Sequence, residues 1–254
     1  MTLAIETVDL TRRFGRTEAV DRLTLAVPAG STFAFVGPNG AGKTTTIKLL
    51  MNLIRPTAGR AVVLGTESRR LGPRELARIG YVSENQRLPD WMTADQLLAY
   101  VRPFYPTWDD GLCARLRGTL GVESRGRLRT ASRGTRMKAA LLSSLAYRPE
   151  LLVLDEPFSG LDVLAREQLV QALLDLRREH DMTVFLSSHD IDDVARLADT
   201  IGFIDGGRLL FAESVEALHS RFQPDGESST APLSLREICL ALTRQAAAAA
   251  ERAS

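Results

Sequence analysis

The chain has 254 residues, 44% of them hydrophobic, with 32 Lys plus Arg against 31 Asp plus Glu. That is enough apolar material for one large α/β domain, with or without an inserted lobe, and it excludes a disordered chain. The balanced charge gives no electrostatic footprint for nucleic acid, so no nucleic-acid partner is expected. Cys113 and Cys239 are unclustered, which argues against a zinc site or a disulfide framework and fits a reducing cytosol. The N-terminus has no basic-then-apolar leader and no apolar run approaches about 18 residues, so neither secretion nor a membrane span is expected.

Leu3 to Leu10 and Val20 to Val27 alternate polar and apolar residues on either side of a polar turn at Gly15, Arg16 and Thr17. They predict antiparallel strands with Phe14 at the mouth of the hairpin. The apolar run Thr32 to Val36 predicts a buried strand, and it leads into Gly37-Pro38-Asn39-Gly40-Ala41-Gly42-Lys43-Thr44-Thr45. This stretch matches G-x-x-x-x-G-K-[ST] at every fixed position. Ile47, Leu50, Leu53 and Ile54 follow at helical spacing, so the loop joins a strand to a helix. Gly37, Gly40 and Gly42 let successive N–H groups approach phosphate oxygens near the positive end of that helix. Lys43 adds a charge for the β- and γ-phosphates, and Thr44 offers a hydroxyl to Mg²⁺. The expected ligand is a purine nucleoside triphosphate.

Ala61 to Leu64 and Ile79 to Val82 predict two more strands. From Glu84 to about Arg148 helical signals replace the strand pattern, which reads as an inserted helical lobe. Thr93-Ala94-Asp95-Gln96 is a capping box with Met92 and Leu97 at the staple positions. Pro103 and Pro106 interrupt the pattern, and Phe104, Tyr105 and Trp108 form an aromatic cluster read as lobe core. Strand character resumes at Leu151 to Leu154, short and apolar enough for a parallel strand buried on both faces. Asp155 and Glu156 stand at its carboxyl end. Asp162 caps a helix with Leu169, Leu173 and Leu176 on one face. Thr183 to Leu186 is the next strand, ending at Ser187-Ser188-His189, and Asp190, Asp192 and Asp193 suit the start of a further helix. Ile201 to Ile204 and Leu209 to Phe211 flank Asp205-Gly206-Gly207-Arg208 as a late hairpin. The main domain is predicted over 1–220 and a linker over 221–233, Pro-, Gly- and Ser-rich from Gln223 to Pro232. Ser234-Leu235-Arg236-Glu237, a second capping box, opens a C-terminal helix over 234–254. Its Leu235, Ile238 and Leu242 stripe must pack somewhere, and its Ala246 to Ala250 run is expected to fray.

An apolar strand ending in two carboxylates, downstream of a phosphate loop, suits nucleotide hydrolysis. Asp155 can hold Mg²⁺ through water and Glu156 can orient or deprotonate the attacking water. His189, at the end of the following strand, is placed to hydrogen-bond the γ-phosphate. A small-molecule kinase or a GTPase shares the loop, but the Asn-Lys-x-Asp guanine motif is not in the sequence.

Together these motifs resemble the nucleotide-binding subunit of ATP-binding-cassette (ABC) transporters from about residue 3 to 220. The resemblance implies an α/β phosphate-loop fold of the ABC-ATPase type: a mostly parallel core sheet, an N-terminal antiparallel β subdomain and an inserted α-helical lobe at about 84–148. It places Phe14 against adenine, Gly37 to Thr45 as the Walker A loop, Leu151 to Asp155 as the Walker B strand and Glu156 as the catalytic carboxylate. Ser159-Gly160-Leu161-Asp162 becomes the D-loop and His189 the switch histidine. Glu84 stands where the family has a Gln that senses Mg²⁺ and couples to the membrane partner, and a carboxylate there can ligate Mg²⁺ or hold water. The signature Leu-Ser-Gly-Gly-Gln is represented by Ala131-Ser132-Arg133-Gly134-Thr135. Ser132 can cap the following helix and Gly134 permits close approach, while Arg133 either adds charge to the phosphate or obstructs closure.

The same resemblance implies Mg²⁺ and ATP sandwiched between two head-to-tail ATPase subunits, identical or different. It also implies permease subunits in separate integral-membrane chains, with this chain peripheral at the cytoplasmic face. The segment Ser234 to Thr243 and the Phe104 to Trp108 aromatics look like the bacterial exporter branch that pairs with six-span type-two permeases. Leu88, Trp91 and Met92 are expected to anchor a permease helix. The alternative is a soluble ABC-type ATPase acting on ribosomes or nucleic acid; the long charged linker, coiled-coil insertion or zinc-binding cysteines usual there are not in this sequence.

Overall fold

The computed structural model describes residues 2–122, 126–222 and 233–252. Strands β1 (Leu3–Phe14) and β2 (Thr17–Pro28) pair antiparallel, Phe14 facing Thr17 across the turn, so the hairpin extends four residues past the predicted end of its first strand. Ile5, Leu10, Val20, Leu23, Leu25 and Val27 are buried, as alternation requires. Strand β3 (Thr32–Val36), buried throughout, feeds the phosphate loop and helix α1 (Lys43–Leu50).

Helix α1 stops earlier than the Ile47–Ile54 spacing predicts. Asn52 turns left-handed (φ 57°), Leu53 N–H donates to Lys48 O at 2.9 Å and Leu53 is left 58% exposed. This is the closing pattern of a helix whose left-handed residue is Asn instead of Gly.

Strands β4 (Ala58–Val63) and β5 (Thr66–Glu67) complete a four-stranded sheet in the order β2-β1-β4-β5. The short helix α2 (Pro73–Leu76) and strand β6 (Ile79–Val82) lead to the lobe, made of α3 (Ala94–Val101), α4 (Asp110–Leu120) and α5 (Arg133–Leu145). The Thr93–Gln96 box forms in both directions, at 3.2 and 3.0 Å. The expected aromatic cluster divides. Tyr105 stacks on Tyr147 with centroids 3.7 Å apart and Trp108 packs on the lobe core, whereas Phe104 is 64% exposed and meets Tyr100 edge-on.

The core then runs through β7 (Leu151–Asp155), α6 (Val163–Glu179), β8 (Thr183–Ser188), α7 (Ile191–Val194), β9 (Thr200–Asp205), β10 (Arg208–Ser214) and α8 (Val215–Phe222). The second sheet has the order β10-β9-β3-β8-β7-β6, parallel except for the β9–β10 hairpin. Register aligns Val36 with Ser188 and Asp155 with Ser187, so the carboxyl ends of β3, β7 and β8 share one edge. In open α/β sheets that crevice is where ligands bind.

The period-two alternation of β3 separates the core into two layers. Phe33 and Phe35 face the layer shared with the N-terminal sheet and Ile47, and Ala34 and Val36 face the layer continuous with the lobe. Helix α9 (Leu235–Arg252) buries Leu235, Ile238, Cys239 and Leu242 against that second layer, and Ser234 forms its predicted box with Glu237. Burial pushes the Cys239 thiol up to about 11, which keeps it unreactive. Arg221 and Phe222, predicted as linker, finish α8; Gln223 to Pro232 lie outside the described residues. Among the described residues no helix is long and apolar enough to cross a membrane.

Candidate nucleotide site

The phosphate loop leaves β3 and returns as α1 with Gly42 at the cap position, φ 110° and ψ 0°. Neither a capping side chain nor an acidic residue occupies the first turn of α1, so no side chain caps its leading N–H groups at the positive end of the helix. Gly40, also at positive φ (83°), has nothing within 4 Å of where a Cβ would stand. Lys43 is only 5% exposed. Its ammonium donates to Gly37 O at 2.6 Å and Pro38 O at 3.1 Å, and lies 3.1 Å from Glu156 Oε1. Thr44 Oγ1 donates to Asp155 Oδ1 at 3.0 Å. A cavity of about 250 Å³ encloses this loop, lined by Ala19, Asn39 to Thr45, Glu84 and Glu156.

Strand β7 delivers both carboxylates. Burial pushes the Asp155 carboxyl above the usual carboxylate range, hydrogen bonds from Ser187 and Thr44 pull it back, and the nearby Glu156 and Glu84 charges push it up again. Glu156 turns into the left-handed region (φ 51°), uncommon for a side chain of its size. Two neighbours hold it there. Its N–H donates to Ser187 Oγ at 2.9 Å, and His189 Nδ1–H donates to its Oε2 at 2.8 Å. Its other oxygen, Oε1, is buried without a hydrogen-bond partner among the described residues, having only the Lys43 charge beside it.

These groups fit a magnesium–triphosphate. A helix N-terminus without a side-chain cap and a buried ammonium suit the phosphates, and the unpartnered Glu156 oxygen is open to a further hydrogen-bond donor. Among the described residues no acidic cluster forms a ready-made cation cage. Mg²⁺ takes one or two carboxylates and completes its shell with water and phosphate oxygens, a role open to Asp155 and Glu84 beside the Thr44 hydroxyl.

The remaining expected residues lie around this centre. Glu84 lines the cavity, and its Oε1 accepts from Arg133 at 3.0 Å and from Ser159 Oγ at 3.1 Å. Ser132 caps α5 by accepting from Thr135 N–H at 3.1 Å, and Asp162 caps α6 by accepting from Ala165 N–H at 2.8 Å. Neither Ser132 nor Gly134 lines the cavity of its own chain. Phe14 is 48% exposed at the hairpin mouth with the Arg12 guanidinium 4.4 Å above one face.

Sequence reasoning missed Ser187, the buried hydroxyl that joins Asp155 to the Glu156 backbone. A polar residue at the end of an otherwise apolar buried strand was the available signal. It also missed the pairing of Glu84 with Arg133 across 49 positions.

A strand–loop–helix phosphate cradle with paired carboxylates at the end of β7, one strand removed from β3 in the same parallel sheet, under a helical lobe, defines a phosphate-loop ATPase cassette. The family model described as "ABC transporter" matches residues 20–159, and one described as "AAA domain, putative AbiEii toxin, Type IV TA system" matches 127–192. The chain belongs to the ABC transporter family, as an ATP-binding subunit. It is 32% identical over 83% of its length to the bacitracin transport ATP-binding protein BcrA of Bacillus licheniformis, covering 69% of that protein. It is 33% identical over 79% of its length to the osmoprotectant import ATP-binding protein OsmV of Salmonella typhimurium, covering 55% of it. Its fold matches the dimeric ATP-binding cassette MJ0796 bound to ADP and Pi, with TM-score 0.73 and 22% identity over 83% of this chain and 98% of that one.

Proposed function

We propose that this chain binds and hydrolyses ATP as one of two head-to-tail subunits, and passes the resulting closure to permease chains at the cytoplasmic face of the membrane. The observation that carries this reading is Glu156, a buried carboxylate beside the phosphate loop with one oxygen lacking a hydrogen-bond partner. Gly37 to Thr45 bind the phosphates, with Lys43 as the charge. Thr44, Asp155 and Glu84 hold Mg²⁺, which neutralises phosphate charge. Glu156 takes the proton of the attacking water, while His189 fixes the Glu156 carboxylate and hydrogen-bonds the γ-phosphate. Phe14 stacks on adenine.

The second subunit is needed in this reading because Ser132 and Gly134 do not line the cavity around the loop of their own chain. Ser132 and Gly134, with Asp162, are the residues that reach the partner's nucleotide. Within the chain a Cβ on Gly134 would meet Leu161 Cδ2 at an ordinary 3.5 Å, so nothing inside the fold forbids a side chain there. Light scattering on Glu156→Gln protein should show a monomer-to-dimer shift on adding Mg-ATP. Gly134→Ala in that background should fold normally and dimerise poorly. A chain that binds Mg-ATP and stays monomeric overturns self-pairing and points to a different second subunit.

A groove of about 820 Å³ lies beside the site, lined in part by Val82, Glu84, Leu88, Trp91, Arg136 and Met137. Trp91 is 64% exposed at its side, the kind of aromatic anchor that dominates docking of a partner helix. Trp91→Ala should abolish most transport in reconstituted vesicles while basal ATPase activity persists; unchanged transport rules out the groove as the permease contact. Export is the direction we favour, supported by the resemblance of the Ser234 to Thr243 and Phe104 to Trp108 segments to the exporter branch. Relatives carry both bacitracin transport and osmoprotectant import names, so the sidedness of uptake in those vesicles decides it.

A further inference from the structure

Arg133 is the first residue of α5, where a cation opposes the positive end of the helix dipole. The structure compensates it within the same chain. Its guanidinium donates to Glu84 Oε1 at 3.0 Å and to Ser159 Oγ at 3.3 Å, and Ser159 Oγ donates to that same carboxylate oxygen at 3.1 Å. The guanidinium also lies over Gly160, where a Cβ would stand 3.2 to 3.4 Å from Arg133 Cδ, Nη1 and Cζ. The segments after β6 and β7 and the start of α5 therefore meet at one ion pair. Both residues are also departures from the resemblance, Glu84 standing for a Gln and Arg133 for a Gly. Neither Gln nor Gly carries a charge, whereas Glu84 and Arg133 carry opposite charges and pair at 3.0 Å.

Glu84 has two claims on it. It lines the phosphate cavity with Lys43, Thr44 and Glu156, and it lines the groove with Trp91 and Met137. The side chains of the pair are 43% and 33% exposed, so solvent weakens the attraction enough for a stronger charge to break it.

We infer that Arg133 is a positioning residue for Glu84. Before nucleotide binds, the pair holds the Glu84 carboxylate toward the start of α5 and keeps the Arg133 charge occupied at home. Mg-ATP then competes with Arg133 for that carboxylate, and its capture frees the capped start of α5. This rests on the nucleotide reading above, and its first measurement needs no nucleotide.

Hydrogen exchange on the full chain without nucleotide should show several-fold faster exchange across 84–91 and 133–136 in Glu84→Gln and in Arg133→Gly. The double variant should be no faster than either single one, and the charge reversal Glu84→Arg with Arg133→Glu should restore slow exchange. Unchanged exchange in both single variants, or strictly additive effects, overturns the pair as a positioning device. The second measurement is ATP affinity with and without Mg²⁺. Arg133→Gly should raise the Mg²⁺ enhancement about three- to tenfold, because Glu84 is no longer shared, and Glu84→Gln should remove that gain. An enhancement unaffected by Arg133→Gly overturns the competition. Failure of wild-type protein to bind ATP at all would instead fall on the nucleotide reading, leaving the exchange result to judge the pair.

Discussion

Replacing Glu156 by Gln is expected to lower ATP turnover by about 10² or more while leaving nucleotide binding in place, the scale lost when a general base is removed. The substitution keeps size and shape, and the left-handed turn at 156 is held by Ser187 through the backbone, so the loop geometry should persist. What changes is the proton account. Glu156 Oε2 accepts from His189 Nδ1–H, while Oε1 has no hydrogen bond among the described residues and faces the Lys43 charge. A Gln presents one acceptor and two donors. With its oxygen toward Lys43, its NH₂ faces His189, which must move its proton to Nε2 and accept at Nδ1. The variant should therefore show both a lost turnover in single-turnover kinetics and a changed His189 tautomer in nitrogen-resolved NMR. Wild-type turnover would remove Glu156 from the chemistry, and lost turnover with lost ATP binding would mean the pocket had collapsed.

The parts of this site that were legible in the sequence are those that local chain geometry encodes. The phosphate loop is contiguous, so one pattern located its lysine, its glycines and Thr44. Asp155 and Glu156 were legible because an apolar run short enough to be a buried strand ended in them. The caps at Thr93, Ser132, Asp162 and Ser234 were legible for the same local reason, and all four form. The strand order β3-β8-β7 was not, since period-two alternation says that a strand is buried and not which strand lies beside it. Ser187 acquires its role only from that order, which sets it level with Asp155. Glu84 and Arg133 are not legible as a pair for a related reason: they belong to separate motifs 49 positions apart, and the ion pair depends on how the lobe folds back over the sheet edge. The early end of α1 escaped because Leu53 and Ile54 continue the apolar spacing, and only the left-handed Asn52 breaks it.

Gly42→Ala is expected to damage both fold and function, and by more than the same change at Gly40. Both residues sit at positive φ, 110° and 83°, where a Cβ costs about 1–2 kcal/mol in strain. At Gly40 that is the whole cost, since open space surrounds the missing side chain. At Gly42 the Cβ would overlap the Ala19 carbonyl oxygen and stand 3.4 Å from Ile204 Cδ1. The overlap is with the backbone of β2, itself paired along β1, and no rotamer change relieves it. Displacing that strand or the loop adds about 1–3 kcal/mol, the usual cost of overpacking. With roughly 2–4 °C lost per kcal/mol in a domain of this size, the melting temperature should fall by about 5–15 °C, against a few degrees for Gly40→Ala. The loop is the softer of the two elements, so it should move first, carrying the leading N–H groups of α1 off the phosphate. ATP affinity should then fall about tenfold or more in Gly42→Ala even well below its melting temperature. A variant that melts early yet binds ATP as wild type would show that β2 yields instead of the loop, and that phosphate binding tolerates the contact between Gly42 and Ala19.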